Sequence, residues 1–505
     1  MSSLTQRTLI NIFARLVSGS WRYLLLIVST PFVVAWMGTD DYGVYTLVMS
    51  MLGIIWILDL GLSVPVTKFV AEFEAKKQSE QADEIISATL LLLSLIGVFA
   101  FVILYFTAEI IAGMFADTDV EQMVPAIRLA ALAIALQFPC IVLGAVIMGR
   151  QNFGLLSRIS IFVETIRTAT ILLVLYLGYG LLAVMWVGVA IAILSLGVYI
   201  HLCRTRYSYR LVPAYNRRAR EVLLGFSLQI TLSTLARTLR FRADRILLGF
   251  FAGVRDVAYY GACITPALLL LRLNALIVSV TLPIASEQDA LSAEEPSRES
   301  ADRLRTLVTE GTRRALIIAM LITSPLIILT DSILMLWLDA EFADRGGIAL
   351  QLFAAATFFE LFQRIGTTTL VGMGQTNVEL KYQGSLALAS LALYFVLIPH
   401  LGIYGASLAL ALPIALISPL TVNAVRKTLR LGSGYVIRCV AAPVMVATIV
   451  TGSGLYLNLS AGNVLELLLF TAIINTCLLA GLLVTGAIDR SDWTAVMSLL
   501  RAERP

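Results

Sequence analysis

The sequence predicts an all-α integral membrane protein of about 14 transmembrane helices, from its composition, the length of its apolar runs and its charge distribution. Hydrophobic residues make up 59% of the 505-residue chain and charged residues 14%, whereas roughly a quarter of the residues in soluble proteins are charged. The mean hydropathy is +0.88. This composition excludes a soluble globular fold.

Long apolar runs divide the chain into candidate spanning segments, since a bilayer core needs about 20 apolar residues per helix. Runs of that length centre near Leu26, Ile55, Leu95, Leu136, Leu172, Ile191, Thr234, Leu268, Ile322, Phe358, Leu391, Ala411, Thr448 and Ile473. The runs are apolar on every side, whereas the strands of a membrane β-barrel alternate over about ten residues. Helices are therefore the consistent interpretation.

Charges in the connecting loops predict the orientation in the membrane. Loops after odd-numbered runs are short and acidic, and basic residues cluster after even-numbered runs. The clusters contain Lys68, Lys76, Lys77, Arg150, Arg158, Arg204, Arg206, Arg210, Arg217, Arg218, Arg220, Arg298, Arg303, Arg305, Arg426, Lys427 and Arg430. The positive-inside rule then predicts that both termini are cytoplasmic. Basic loops of this kind contact anionic membrane lipid, and nucleic-acid binding is not expected.

The first apolar run is too long and too interrupted by charge for a signal peptide, so it counts as a span. An internal repeat then organises the chain. RYLLLIVSTPFVVAWMGTDDYGVY, from Arg22, aligns without gaps on RFRADRILLGFFAGVRDVAYYGAC, from Arg240, at an offset of 218 residues. VIMGRQN and VGMGQTN match next, followed by LGYGLLAV and LGIYGASL. Both halves start on the same side of the membrane, as in transporters whose parallel repeats enclose the cargo site.

The repeat predicts two pseudo-symmetric lobes of about six helices each, followed by two C-terminal helices. Residues 1–215 form the N-terminal lobe, residues 216–430 form the C-terminal lobe, and residues 431–505 form the extra pair and a cytoplasmic tail.

Motifs for catalysis and metal binding are absent from the sequence. The 5 cysteines include no CxxC pair and the 2 histidines are isolated, so neither a disulfide framework nor a metal site is expected. There is no GxxxxGK[ST] loop for ATP, and the short outer loops carry no His/Asp/Glu constellation. We expect no catalytic residue, metal or cofactor.

The stretches GTDDYGVYTLVMSMLGIIWILDLGLSVPVTKFVAE and DRILLGFFAGVRDVAYYGA, with the doubled layout, resemble the polysaccharide-transporter (oligosaccharide flippase) branch of the multidrug/oligosaccharidyl-lipid/polysaccharide exporter superfamily. The resemblance covers nearly the whole chain. It implies alternating access by two lobes and transfer of a lipid-linked saccharide from the cytoplasmic to the outer leaflet of the bacterial inner membrane. Polysaccharide polymerase and export proteins are the implied partners, and a monomer is expected.

The segment LARTLRFRADRILLGFF, residues 235–251, places four arginines and an aspartate in an apolar run. Charges at membrane depth are costly and persist where they line a water-filled cavity or pair with each other. On a helix Arg237, Arg240 and Asp244 fall within about 60° of one another, so the two arginines are expected to face the space between the lobes. In the gapless repeat Arg22 is equivalent to Arg240, which would place one arginine on each wall.

Arginine suits a diphosphate because its planar fork makes paired charge-assisted hydrogen bonds to phosphate oxygens. The predicted substrate-binding residues are Arg22, Arg237, Arg240 and Arg272. The alternative is that these arginines contact only other helices.

Other charges are candidates for structural or coupling-ion pairs, because several are spaced to meet within one helix. They are Glu164, Arg167, Asp244, Arg245, Glu360 and Arg364. A structural pair is favoured for each, with Glu164 and Glu360 as alternative coupling-ion sites.

The predicted function is an alternating-access flippase for a polyprenyl-diphosphate-linked saccharide, a transporter and not an enzyme. Two alternatives stay open: an exporter of cationic drugs, and a membrane enzyme or scaffold of polysaccharide assembly. The excess of deep arginines over carboxylates disfavours the drug exporter, and the short outer loops disfavour the enzyme.

Overall fold

A computed structural model provides the fold. It describes residues 3–59, 62–115, 119–207, 209, 228–271, 277–278, 281–282, 284–286, 298–432 and 434–487. Within these ranges the regular structure is helical and contains no strand. The all-α fold class is confirmed.

The described ranges contain long α-helices joined by short turns. In chain order these are α1 (Ser3–Met37), α2 (Thr39–Ile55), α3 (Ser63–Ala75), α4 (Ser79–Gly113), α5 (Val120–Gly149), α6 (Phe153–Tyr176), α7 (Leu181–Tyr207), α8 (Leu228–Ala252), α9 (Val254–Cys263), α10 (Arg298–Ile328), α11 (Thr330–Trp337), α12 (Ala340–Gly372), α13 (Thr376–Thr428), α14 (Ala442–Tyr456) and α15 (Val464–Val484). A 3₁₀ turn, Trp56–Asp59, follows α2, and a π-helical turn, Tyr435–Ala441, precedes α14.

Among the described residues, 11 helical segments are long and apolar enough to cross a membrane. That count takes the 53 residues of α13 as one segment, although a helix of that length extends for about 80 Å and a bilayer core is about 30 Å thick. At Gly402 the backbone of α13 leaves the helical conformation (φ 52°, ψ −125°), so α13 contains two helices. The protein is a multi-pass membrane protein, and the total of about 14 spans stays a prediction.

Polar side chains cap several helices at their starts. Asn152 accepts a hydrogen bond from the backbone N–H of Leu155 at 3.2 Å, and Asn463 accepts one from Glu466 at 2.9 Å. Such N-caps satisfy backbone donors that the first turn leaves without a helical partner. Short loops with caps of this kind allow one spanning helix to end and the next to begin within a few residues.

The helices form two compact units. Unit 1 contains Met1–Thr265 and Ala387–Ala406, and unit 2 contains Pro266–Leu386 and Ser407–Pro505. In unit 1, α5 packs against α3, α4 and α7, α1 packs against α6, and α2 packs against α8 and α9. In unit 2, α10 packs against α12, α14 and α15. The unit 2 core includes Leu316, Leu361, Val425 and Leu478, all at 0% exposure.

Backbone conformation gives the register of the internal repeat. Gly38 and Gly253 both have positive φ, 86° and 93°, and each immediately precedes a helix. Glycine adopts this region without the strain that a Cβ brings. Aligning these two residues gives an offset of 215 residues, three fewer than in the gapless sequence alignment. In the structural register Arg22 is equivalent to Arg237, so the predicted equivalence of Arg22 with Arg240 is wrong.

The repeated helices α2 and α9 contact each other at equivalent positions. Asp40 and Arg255, each the second residue of its helix, form a two-pronged ion pair with N–O distances of 2.9 and 3.0 Å. Further along, a Cβ added to Gly261 would lie 2.7 Å from Cγ2 of Thr46, and both are the eighth residue of their helices. Because contacts join like positions at two levels, α2 and α9 run side by side in the same direction. A two-fold axis along the membrane normal produces this arrangement.

Candidate functional site

Helices α1 and α6 of unit 1 bring three predicted residues together. Nε of Arg22 lies 3.7 Å from Oε1 of Glu164, and Nη1 of Arg167 lies 3.7 Å from Oε2 of the same carboxylate. The contact between the helices is fixed one residue away on each, because Nε1 of Trp21 donates a hydrogen bond to Oγ1 of Thr165 at 2.9 Å. Two guanidinium groups therefore share one carboxylate.

Glu164 and Arg167 line a cavity of about 240 Å³ in unit 1, and Arg22 is connected to that lining by its ion pair with Glu164. Helices α5, α6 and α7 and the 3₁₀ turn line the cavity, and its polar and aromatic lining includes Trp56, Gln137, Ser160, Ser195 and Tyr199. The 3₁₀ turn Trp56–Asp59 continues α2, and residues 39–59 together form one segment long and apolar enough to span a membrane. A 3₁₀ turn is a common, tighter ending of an α-helix, and this one places Trp56 in the cavity lining.

Exposure differs sharply between the two ends of the charged cluster. The Arg22 side chain is 66% exposed and that of Arg167 is 30% exposed, while the shared Glu164 is 21% exposed. Nε of Arg167 is buried and makes no hydrogen bond to any described residue. A buried donor of this kind is costly unless a water or a ligand accepts from it, so the guanidinium of Arg167 can hold an additional anion.

The predicted arginines of α8 separate into two environments. Arg237 is exposed, whereas Arg240 is fully buried. The Arg240 guanidinium carbon lies 4.4 Å from the centre of the Phe241 ring, and its backbone carbonyl accepts a hydrogen bond from the Tyr394 hydroxyl at 2.9 Å. In this structure the side chain of Arg240 does not reach solvent, which differs from the cargo-facing orientation expected from the helical wheel. The reason is that α2, α9 and residues 387–406 enclose this face of α8 within unit 1.

Asp244 and Arg245 lie in the same enclosed region. Asp244 is 1% exposed, and its carboxylate accepts hydrogen bonds from the Arg245 backbone N–H at 2.8 Å and from the Tyr260 hydroxyl at 2.9 Å. Nη1 of Arg245 donates to the Phe241 carbonyl at 3.4 Å. The hydrogen bond from Tyr260 joins α9 to α8, and the other two contacts lie within α8.

A second polar cluster is buried in unit 2. Nη1 of Arg364 donates to Oε1 of Glu379 on the next helix at 3.2 Å, and Gln383 donates to the same oxygen at 3.0 Å. Glu360 is 3% exposed in the same helix as Arg364. The ion pair that the structure gives Arg364 is thus between helices. Sequence reasoning missed Glu379 and Gln383, although their spacing of four residues at the start of α13 places them on one helix face.

The remaining predicted substrate-binding residue, Arg272, lies outside the described residues. Groups of three or more His, Cys, Asp or Glu side chains that could hold a metal are absent from the described part of the chain.

Comparison with known proteins places these features in a family. Residues 8–288 match the family described as polysaccharide biosynthesis protein. A Shigella flexneri protein named a candidate O-antigen transporter is 20% identical over 408 residues, which cover 78% of this chain and 91% of that protein.

Two solved membrane transporters share the fold. The lipid II flippase MurJ, in an inward closed conformation, superposes with a TM-score of 0.71 at 12% identity, covering 95% of this chain and 99% of MurJ. An inward-facing multidrug resistance transporter of the MATE family and MOP superfamily superposes with a TM-score of 0.68 at 14% identity, covering 81% and 94%. The family match spans more than half of the sequence, and the chain therefore belongs to the polysaccharide biosynthesis protein family.

Proposed function

We propose that this protein is a flippase that moves a polyprenyl-diphosphate-linked saccharide from the cytoplasmic to the outer leaflet of the bacterial inner membrane. The observation that carries the proposal is that Arg167 lines a cavity among the spanning helices and shares the carboxylate of Glu164 with Arg22. Family membership, the O-antigen transporter relative and the fold shared with a lipid II flippase support the same class of cargo.

The diphosphate is the part of this cargo that needs cationic side chains in the protein. Its oxygens would accept hydrogen bonds from Arg22 and Arg167 and from Arg237, the structural equivalent of Arg22, while the sugars occupy an aqueous space and the polyprenyl tail stays in lipid. The two lobes, residues 1–215 and 216–430, would rock about this site, with both termini in the cytoplasm and residues 431–505 as an added pair of helices. Saccharide polymerase and export proteins would then use the cargo outside, and the carrier itself would act as a monomer without a cofactor.

Translocation in proteoliposomes tests this function. A fluorescent polyprenyl-diphosphate saccharide is followed from one leaflet to the other for the unchanged protein, Arg22→Ala, Arg167→Ala and Arg237→Ala at equal incorporation. A charge-assisted hydrogen bond contributes about 1.5–3 kcal/mol, so we expect each substitution to slow transport roughly tenfold or more.

Arg128→Ala is the matched control. Arg128 pairs with Glu109 at 3.0 Å in α4 and does not line the cavity, so its loss should leave transport unchanged. If the unchanged protein moved no saccharide and instead exported a cationic dye, the drug-exporter alternative would replace this function. Equal transport by all variants would show that these arginines do not bind the cargo.

A further inference from the structure

The ion pairs of Glu164 are unusually long for arginine contacts. Each of its oxygens faces a different guanidinium at 3.7 Å, whereas hydrogen bonds between arginine and carboxylate have N–O distances of about 2.7–2.9 Å. Charge attraction therefore holds Glu164 between the two arginines without direct hydrogen bonds. Among the described residues no other side chain donates a hydrogen bond to this carboxylate.

The two arginines keep unused donors in this arrangement. A guanidinium has five N–H groups in a planar fork. Neither Arg22 nor Arg167 donates a hydrogen bond from any of them to Glu164, because both N–O distances are 3.7 Å. Nε of Arg167 is also buried without an acceptor in the described part of the protein. Any anion that reaches both forks at about 2.8 Å would interact with them more strongly than Glu164 does.

The geometry of the cluster is preset by the helices. Arg167 lies one turn after Glu164 on α6, and the hydrogen bond from Trp21 to Thr165 fixes α1 against α6 beside them. The two helices that carry the arginines are therefore already held together before an anion binds, and moving the Glu164 side chain would open the space between the guanidinium groups.

We propose that Glu164 acts as an internal substitute for the cargo diphosphate. In the empty carrier its carboxylate neutralises Arg22 and Arg167, the diphosphate displaces it when cargo binds, and its return to the arginines helps to release the cargo. This inference rests on the proposed function, because it assigns a regulatory role to a residue of the same site.

The cavity of unit 1 can accommodate the Glu164 carboxylate after its displacement. Glu164 lines the cavity of about 240 Å³ together with Gln137, Ser160 and Tyr199, whose amide and hydroxyl groups can donate hydrogen bonds to it. The diphosphate carries more negative charge than one carboxylate. It therefore binds the two arginines more strongly than Glu164 does, by Coulomb attraction as well as by hydrogen bonding. Because Glu164 competes for the arginines, the cargo binds more weakly than it would to the two arginines alone. For the same reason the cargo dissociates faster.

Binding measurements on the full-length protein in nanodiscs test the competition. The probes are inorganic pyrophosphate and farnesyl diphosphate, titrated calorimetrically into the unchanged protein, Glu164→Gln, Arg22→Ala and Arg167→Ala. Removing an internal competitor is the loss of an unfavourable coupling, so Glu164→Gln should bind both probes roughly tenfold more tightly. The two arginine variants should bind them more weakly.

Glu109→Gln is the control for a general charge effect. Glu109 also pairs with an arginine, Arg128, at 3.0 Å, but away from the cavity. Its substitution should not alter probe binding. If Glu164→Gln bound the probes no better than the unchanged protein while its melting temperature was preserved, Glu164 would be a structural ion-pair partner and the inference would be wrong. A Glu164→Gln protein that melts early is replaced by Glu164→Asp, whose shorter reach should give an intermediate gain in affinity.

Transport separates this inference from the proposed function. In proteoliposomes with the lipid-linked saccharide, Glu164→Gln should show a lower KM and a lower maximal rate, because cargo binds more tightly and leaves more slowly. Tighter pyrophosphate binding by Glu164→Gln, with no saccharide transport by the unchanged protein, would support the anion competition and overturn the flippase function. Saccharide transport by the unchanged protein, with neither KM nor rate changed in Glu164→Gln, would support the flippase and overturn the competition.

Discussion

The carboxylate of Asp244 shows how single residues keep charge inside this protein. It is 1% exposed and accepts one hydrogen bond from the backbone of its own helix and one from Tyr260 on α9. A buried carboxylate is tolerated only when such donors replace the water that it has lost. The Tyr260 hydroxyl, itself at 0% exposure, is therefore the donor from a second helix that makes this charge compatible with the interior.

Tyr260→Phe tests that role. The substitution keeps the ring and removes one hydrogen bond to a charged group, which should cost about 1.5–3 kcal/mol of stability. The measurement is the thermal unfolding of the purified protein in detergent, with Tyr176→Phe as the control because the Tyr176 side chain is 73% exposed. Equal melting of the two variants would mean that Asp244 does not depend on Tyr260.

The residue types alone predicted that charged side chains cluster in α8. They did not predict which of these side chains are buried and which are exposed. The helical wheel places Arg237 and Arg240 on neighbouring directions, yet one is exposed and the other fully buried. The difference arises because other parts of unit 1, including Tyr394, cover only part of the helix. Periodicity describes one helix, whereas burial depends on partners that are distant in the sequence.

At the scale of elements, the contact between α2 and α9 joins the two repeats inside unit 1. The ion pair of Asp40 with Arg255 closes one end of it, with side chains 64% and 60% exposed. The two helices also pack closely at Gly43, where an added Cβ would lie 2.1 Å from the Val254 carbonyl oxygen. An exposed ion pair contributes little to stability, about 0–1 kcal/mol, so the pair of Asp40 and Arg255 can form and break without unfolding the helices.

Reversing these charges tests whether α2 and α9 separate during transport. Arg255→Asp puts two acidic groups together and should shift the carrier toward conformations in which the contact is open, changing the transport rate several-fold. The double variant Asp40→Arg with Arg255→Asp restores opposite charges and should restore the rate. Transport assays on the two variants decide the matter, and a double variant as impaired as the single one would contradict the role of this pair.

Most elements could be predicted, because membrane helices are apolar on every side over about 20 residues and polar loops separate them. The change from α- to 3₁₀-helix at Trp56–Asp59 could not be predicted, since these residues differ little in composition from the helical residues before them. The turn lies beside the cavity of unit 1, a feature assembled from α5, α6 and α7. The repeat was visible in the sequence, but its register needed the positive φ of Gly38 and Gly253.

The same limit explains what could be predicted of the candidate site. The spacing of Glu164 and Arg167 within α6 indicated that they could pair, and deep arginines indicated an anionic cargo. That Arg22 meets the same carboxylate is a contact across 142 residues between α1 and α6, and nothing local to either helix encodes it. The charged groups could therefore be identified from the sequence, while the meeting of Arg22 and Arg167 at one carboxylate depends on the packing of unit 1.

For the whole molecule, the charge of the proposed cargo predicts a dependence on membrane potential. The loops predict that basic residues face the cytoplasm, so a diphosphate carried outward moves toward the positive side of the membrane. Each negative charge gains about 2.3 kcal/mol per 100 mV, and about two charges gain roughly 4.6 kcal/mol. A potential that is negative inside should therefore favour export without any coupling ion.

Proteoliposomes loaded with potassium and treated with valinomycin provide this measurement. Setting the potential to about −100 mV inside should increase outward transport of the lipid-linked saccharide well above its level at zero potential, and reversing the sign should suppress it. Part of the charge is balanced by the protein, because Arg22 and Arg167 carry two positive charges and Glu164 one negative charge. If that cluster moved outward with the cargo, the net charge transferred would be smaller and the response weaker. The steepness of the response thus measures how far the arginines travel with the diphosphate, and transport that ignored the potential but followed a sodium or proton gradient would show that an ion supplies the driving force.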